Sequence, residues 1–321
     1  MNTYKVSVII PTKNPGAIFK EVLEAVLAQK SEWPFEVVVI DSGSKDGTVE
    51  YVKSYPAVKL LEIPSHEFGH GRSRNYAIAQ SSGEFVAVIT HDAKPATDSW
   101  LQHMVATAES DPRIAGVFGR HIAYPTASIF TTRELELHFS GFKALPLVHM
   151  DDPARYATDV GYQQFLHFFS DNNALLRRSV WQEIPYPDVD FAEDQAWAKK
   201  IIEAGYYKGY SEEGAVYHSH DYTLFERLQR SFDESSAFKR SFGYILCPSA
   251  VAMWKSVAAL SRRDIIYARS IGLLRRSPGL VIYAVADNVM RLVGHYLGAR
   301  GERIPNFIRT RISRDKKLFA Q

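Results

Sequence analysis

A single cysteine, Cys247, leaves no partner for an internal disulfide and rules out a cysteine-only zinc site. That usage fits a reducing compartment. No run of about 18 uncharged apolar residues occurs, so no transmembrane helix is expected. The opening MNTYKVSVIIPTKN has no basic stretch before an apolar segment of signal length, so no signal peptide is expected and the expected location is cytoplasmic. Internal repeats and low-complexity segments are absent too. Apolar residues are not scarce: 46% of the chain is hydrophobic and 23% charged, which supports a packed core and excludes a disordered chain. A length of 321 residues suits one large domain or a domain with an appendage.

The net charge of +2 conceals an asymmetry. Residues 223–321 carry 18 Lys and Arg against 7 Asp and Glu, a surplus of eleven positive charges, whereas residues 1–222 carry 20 against 29, a deficit of nine. Such a basic tail suits nucleic acid or an anionic membrane surface.

The first two-thirds alternate strand and helix patterns. VSVIIP (6–11), EVVVI (36–40), VKLLEI (58–63), EFVAVIT (84–90) and IAGVFG (114–119) read as strands buried on both faces. Between them, 17–29, DGTVEYVKSY, 72–81 and 99–109 have helical spacing. This βαβα rhythm predicts an α/β fold with a mostly parallel sheet and helices on both faces. Residues 123–170 lack clear periodicity and read as long connections with a short helix covering one side of the site. A helix is expected over 194–204, closed by Gly205, and a short strand over VYHSH (216–220). The division expected is a catalytic domain over 1–222 and a basic, amphipathic helical region over 223–321. Within the latter, 277–298 places Val281, Ile282, Val285, Val289, Leu292, Val293 and Tyr296 on one face, interrupted by Asp287 and Arg291. That pattern suits a surface or packing helix better than a membrane span.

In doubly wound sheets ligands sit at the carboxyl ends of the strands. Polar clusters fall there three times: Pro11-Thr12-Lys13-Asn14, Asp41 through Gly47 (DSGSKDG), and Thr90-His91-Asp92. DSGSKDG alone reads equally as a turn with a helix cap. Three at successive strand ends point to a nucleotide site.

The stretches VSVIIPTKN, VVVIDSGSKDGT, GRSRNYAIAQSSGEFVAVITHDAKP, AEDQAWAKKIIEAG and VYHSH, spanning residues 6–220, resemble family 2 of the inverting glycosyltransferases, which have the GT-A fold. HEFGHGRSRN followed by ITHDAKP is similar to the bacterial rhamnosyltransferases within it. The resemblance implies transfer of a sugar from a nucleotide-sugar donor, dTDP-L-rhamnose in the finer match, to a saccharide acceptor. UDP-glucose or a UDP-N-acetylhexosamine is the alternative donor. It implies Mg²⁺ or Mn²⁺ on the departing diphosphate, where hard oxygen ligands suit either ion. The family's Asp-x-Asp is reduced here to Thr90-His91-Asp92, so Asp92 is the expected ligand, helped by His218 or His220. Pro11, Thr12, Asn14, Asp41, Ser44 and His91 are expected around the nucleotide, with Asp41 accepting the base N–H. Arg72 and Arg74 are expected to face the diphosphate, since guanidinium pairs well with phosphate. Gly69 and Gly71, flanking His70, suggest a loop passing close to a ligand. The Glu193-Asp194 pair opening a late helix is expected to be catalytic, with Asp194 as general base.

Competing classes are a nucleotidyltransferase, disfavoured because PTKNPGAIF lacks a glycine-rich basic loop, a nucleic-acid binder, disfavoured because no such motif occurs, and a non-catalytic scaffold. The basic tail is then expected to dock on the inner face of a membrane, near a lipid-linked saccharide. The alternative is an appendage that packs on the body or joins a second copy.

Overall fold

Continuous β-branched runs build the centre of the sheet, because a strand covered on both faces buries every side chain. The computed structural model describes residues 4–189 and 191–314, and the chain divides into two units between Ser219 and His220. In the first unit β1 (Val6–Thr12), β2 (Phe35–Asp41), β3 (Val58–Glu62) and β4 (Phe85–Ile89) pair in parallel. They alternate with helices α1 (Ile18–Leu27), α2 (Thr48–Lys53) and α3 (His70–Ala79). After β4 come a two-residue strand β5 (Lys94–Pro95), α4 (Trp100–Glu109) and β6 (Ile114–Ile122).

The expected irregular stretch is largely helical. It holds α5 (Ile129–Ala144), β7 (Leu147–Val148), α6 (Pro153–Thr158) and α7 (Val160–His167). Only Phe139 and Phe142 of α5 are buried, so its sixteen residues carry too narrow an apolar stripe to register as a period. A strand the pattern did not reveal, β8 (Asn173–Arg177), follows, then α8 (Arg178–Glu183), α9 (Glu193–Glu203) and the long β9 (Tyr207–Tyr217).

The strand order is β3-β2-β1-β4-β8-β6-β9-β5, with β7 on β9. β8 runs antiparallel between β4 and β6, while β6 and β9 are parallel to each other. The register brings Thr12 beside Asp41, Ile89 beside Asn173 and Ile122 beside Tyr217. One sheet edge therefore collects the ends of β1, β2, β4, β6 and β9 and the start of β8. Two apolar layers lie on either side of the sheet, one around Phe19, Phe85 and Trp100, the other around Phe118, Phe169 and Trp197.

The second unit is helical: α10 (Leu224–Phe242), α11 (Ala250–Ser270), α12 (Leu273–Arg276), α13 (Pro278–Gly298) and α14 (Asn306–Ile312). A Thr223–Glu226 capping box starts α10. α10 and α13 pack at backbone distance. A Cβ on Gly294 or Gly298 would lie 2.5 Å from the Leu228 carbonyl or 2.3 Å from that of Phe232. α11 packs on α13 through Met253, Val257 and Leu292. The buried face of α13 includes Val281, Ala284, Asn288 and Leu292, whereas Ile282, expected on it, is 71% exposed. Asp287 and Arg291 do not face lipid: Asp287 pairs with Arg227 of α10 at 2.8 Å. Among the described residues no helix is long and apolar enough to cross a membrane.

Candidate active site

The loops after β1 and β2 are tied together. Asp41 Oδ1 accepts the backbone N–H of Gly43 (2.9 Å) and Ser44 (2.8 Å), and Oδ2 accepts the hydroxyls of Ser44 (2.5 Å) and Thr12 (3.0 Å). Asn14, at φ 44°, donates its N–H to Ser44 Oγ and accepts that of Lys45. Pro11 sits one residue before the end of β1, in register with Ile40. The Asp41 carboxylate thus shapes this cradle, and its acceptor sites are filled.

After β4 the chain turns through His91 and Asp92. Asp92 Oδ1 lies 3.7 Å from His218 Nε2, and the Asp92 carbonyl accepts the Tyr124 hydroxyl at 3.0 Å. β9 ends at Tyr217, not at residue 220, so His218 and His220 leave the strand rather than belong to it. The His218 N–H still reaches the Ile122 carbonyl at 2.9 Å. His220, the first residue past the division between units, follows two residues later. Ligand atoms of Asp92, His218 and His220 all lie within 4.8 Å of one another. Behind them His121 stacks edge-on against His218, ring centroids 5.3 Å apart. Burial pushes the His121 imidazole well below its usual range, helped by the neighbouring His218 and His138. Thr90 Oγ1 and His121 Nε2 are buried with no hydrogen-bond partner among the described residues. One carboxylate and two imidazoles make a mixed oxygen–nitrogen donor set, which fits Mn²⁺ better than Mg²⁺.

The third group surrounds the start of α9. Glu193 and Asp194 occupy its first turn, entered through Ala192 at φ 56°. Asp194 accepts the N–H of Gln195 (2.7 Å) and of Asp171 (3.3 Å). Asp171 stands two residues before β8, and so beside the end of β4. Burial, then the charges of Glu193 and Asp171, push the Asp194 carboxyl well above its ordinary range. Burial likewise pushes Asp171 up to about 6, against the pull of Arg74. The Tyr186 hydroxyl donates to Asp171 at 2.6 Å.

Two arginines are engaged by carboxylates. Arg74 is buried between carboxylates, 2.5 Å from Glu193 and 3.2 Å from Asp171, so its guanidinium is committed and does not face a diphosphate. Arg72 is exposed and forks onto Asp188 at 3.0–3.2 Å. Nor does Gly71 serve a ligand-hugging loop. It lies in α3, and a Cβ there would meet the Pro187 carbonyl at 2.3 Å, so glycine lets the segment before α9 pack on α3. Sequence reading missed Tyr186, Tyr124 and His121. His121 was hidden because β6 runs three residues beyond its predicted end, which put the polar residue at the true strand end out of sight.

A polar cradle after the first two strands, a carboxylate–imidazole cluster and a buried acid at a helix start, all at one sheet edge, match the architecture of a GT-A glycosyltransferase. Residues 7–184 match glycosyl transferase family 2. The chain is 34% identical to the O-antigen chain rhamnosyltransferase RfbN of Salmonella typhimurium, over 71% of each chain. It is 31% identical to the O-antigen chain rhamnosyltransferase WbaN of Salmonella anatum, over 71% of this chain and 70% of that one. The solved mannosyltransferase PcManGT of Pyrobaculum calidifontis, in complex with GDP-Man and Mn²⁺, shares the fold with a TM-score of 0.56 at 20% identity, covering 90% of this chain and 87% of that one. The chain belongs to glycosyl transferase family 2 and is a glycosyltransferase.

Proposed function

We propose that the chain moves L-rhamnose from dTDP-L-rhamnose onto a lipid-linked saccharide, with inversion at the anomeric carbon, during assembly of a bacterial surface polysaccharide. The carrying observation is that Asp41, Asp92, His218 and Asp194 belong to segments meeting at one sheet edge. The choice of sugar is supported by the likeness to two O-antigen rhamnosyltransferases.

In this reading Pro11, Thr12, Asn14, Ser44 and His91 line the nucleoside pocket. Asp41 receives the base N–H when the Ser44 hydroxyl rotates away, exchanging one donor for another. Asp194, ionised, takes the proton of the acceptor hydroxyl. The hydroxyl oxygen bonds to the anomeric carbon from the face opposite the nucleotide. The bond from that carbon to the phosphate oxygen breaks, and the electron pair leaves with the nucleoside diphosphate. Asp92, His218 and His220 would hold a divalent cation, which would supply charge neutralisation to that diphosphate, and the Mn²⁺ in the complex of PcManGT, a protein of the same fold, supports a metal ion in this reading. Glu193 and Arg74 act on Asp194 by position, holding the helix start and its charge balance rather than touching the sugar.

Thermal-shift measurements with dTDP, UDP and GDP, each with and without Mn²⁺, test the reading, because stabilisation follows ligand concentration over dissociation constant. Preferential stabilisation by dTDP with Mn²⁺, and turnover of dTDP-L-rhamnose, are expected. Preference for UDP moves the donor to a glucose or N-acetylhexosamine nucleotide, and no shift with any nucleotide removes the proposal.

A further inference from the structure

α11 presents two different faces. Its inner face, Met253, Val257, Ser261, Asp264 and Ala268, is buried, and Asp264 is satisfied there by Asn288 at 2.8 Å and Arg263 at 3.1 Å. At 100° per residue, Val251, Trp254, Lys255, Arg262, Ile265 and Arg269 share one third of the helix beside that buried face, and all six are exposed. Val251 is 65%, Trp254 56% and Ile265 40% exposed, values far from a packed position. The chain then turns through α12, with Arg275 and Arg276 exposed, into the first turns of α13, which leave Leu280 51% and Ile282 71% exposed. From Ser249 to Ala286 there are six basic residues and one acid, the buried Asp264. Lys255, Arg262, Arg269, Arg275 and Arg276 form no ion pair among the described residues.

Large apolar side chains interleaved with unpaired cations, on a helix whose other face is already packed, match the chemistry of a bilayer interface. There the apolar groups enter the acyl boundary and the basic groups meet anionic headgroups. A protein partner would need an apolar patch ringed by acids and matched in shape, whereas an anionic bilayer offers both to any contour. We infer that the outer face of α11, extended by α12 and the start of α13, seats the protein on an anionic lipid surface. This places membrane contact on particular residues rather than on the whole basic tail, and it stands independently of which sugar is moved.

The test is flotation of the full chain with vesicles of phosphatidylcholine alone or mixed with phosphatidylglycerol. Binding to the mixed vesicles, weak binding to phosphatidylcholine, and loss of binding at about 0.5 M salt are expected. Arg262→Glu/Arg269→Glu should weaken binding about tenfold or more, and Trp254→Ala/Ile265→Ser should weaken it at unchanged charge. Lys20→Glu/Lys53→Glu, an equal charge change on the first unit, should leave most of the binding in place. Far-UV circular dichroism of each variant should be unaltered, since every changed side chain is exposed. Equal partitioning to both vesicle types, or α11 variants that bind like the parent chain, would overturn the inference. A dimer dissolved by Trp254→Ala/Ile265→Ser with vesicle binding intact would also overturn it, assigning the face to a second copy.

Discussion

Arg74 Nη1 lies 2.5 Å from Glu193 Oε1, with both side chains buried. The same guanidinium stands 3.2 Å from Asp171, so one cation offsets the acids around Asp194. Removing one partner from a buried pair costs about 3–5 kcal/mol, because the other charge is left uncompensated. Arg74→Met should therefore destabilise the protein by about that much in urea unfolding. Arg74→Lys should cost less, and adding Glu193→Gln to Arg74→Met should recover part of the loss.

Asp194 must be ionised to act as a base, and burial with two neighbouring carboxylates raises its pKa. The acid limb of the kcat/KM profile should therefore fall above the usual carboxylate range. Asp171→Asn removes one of those negative charges and leaves Arg74 less compensated, and both changes favour ionised Asp194. The limb should move to lower pH, measured from steady-state rates. Asp194→Asn should reduce kcat roughly 10²–10⁴-fold while the nucleotide thermal shift stays unchanged.

Asp92, His218 and His220 can be tested without turnover. Isothermal titration of Mn²⁺ should give binding that Asp92→Asn or His218→Gln weakens by about tenfold or more. Affinity should also fall on acidification, because imidazole coordinates only when neutral. His91→Gln should change little if His91 faces the nucleotide rather than the ion.

Stability should fall as pH drops below about 6.5. Burial lowers His121 well below its usual range, lowers His138, and takes His167 to about 3. Each binds a proton in the unfolded chain before it can in the folded one. Their stabilisation is present above the unfolded pKa and is lost as pH falls toward the folded value, by at most about 1.4 kcal/mol per pH unit per group. Asp171, raised to about 6, and Asp194, raised well above its ordinary range, oppose them between their folded and unfolded values. Urea unfolding from pH 7.5 down to 5 should show the net loss, and His167→Gln should flatten it.

Much of this was legible because parallel strands announce themselves. VSVIIP, EVVVI and EFVAVIT are buried runs whose carboxyl ends carry Thr12, Asp41 and Asp92, so the rule about strand ends found them. β8 escaped because NALLR is five residues long and is followed at once by a helix, leaving no period to count. The fate of Arg74 was illegible for a different reason. Whether an arginine faces a phosphate or a carboxylate depends on residues 97 and 119 positions away in the chain, Asp171 and Glu193. Neither local spacing nor composition carries that pairing.

The reversed direction of β8 has a consequence for diversification. Because it fills the gap between β4 and β6, the fifty-residue excursion from the end of β6 leaves and rejoins the sheet at the same edge. Both anchors are fixed by strand pairing, so the exposed stretches of the excursion can change while β7, the buried Phe139 and Phe142, and Asp171 keep their places, without shifting any strand that carries Thr12, Asp41 or Asp92. A lineage built this way can change what it glycosylates while keeping how it holds the donor.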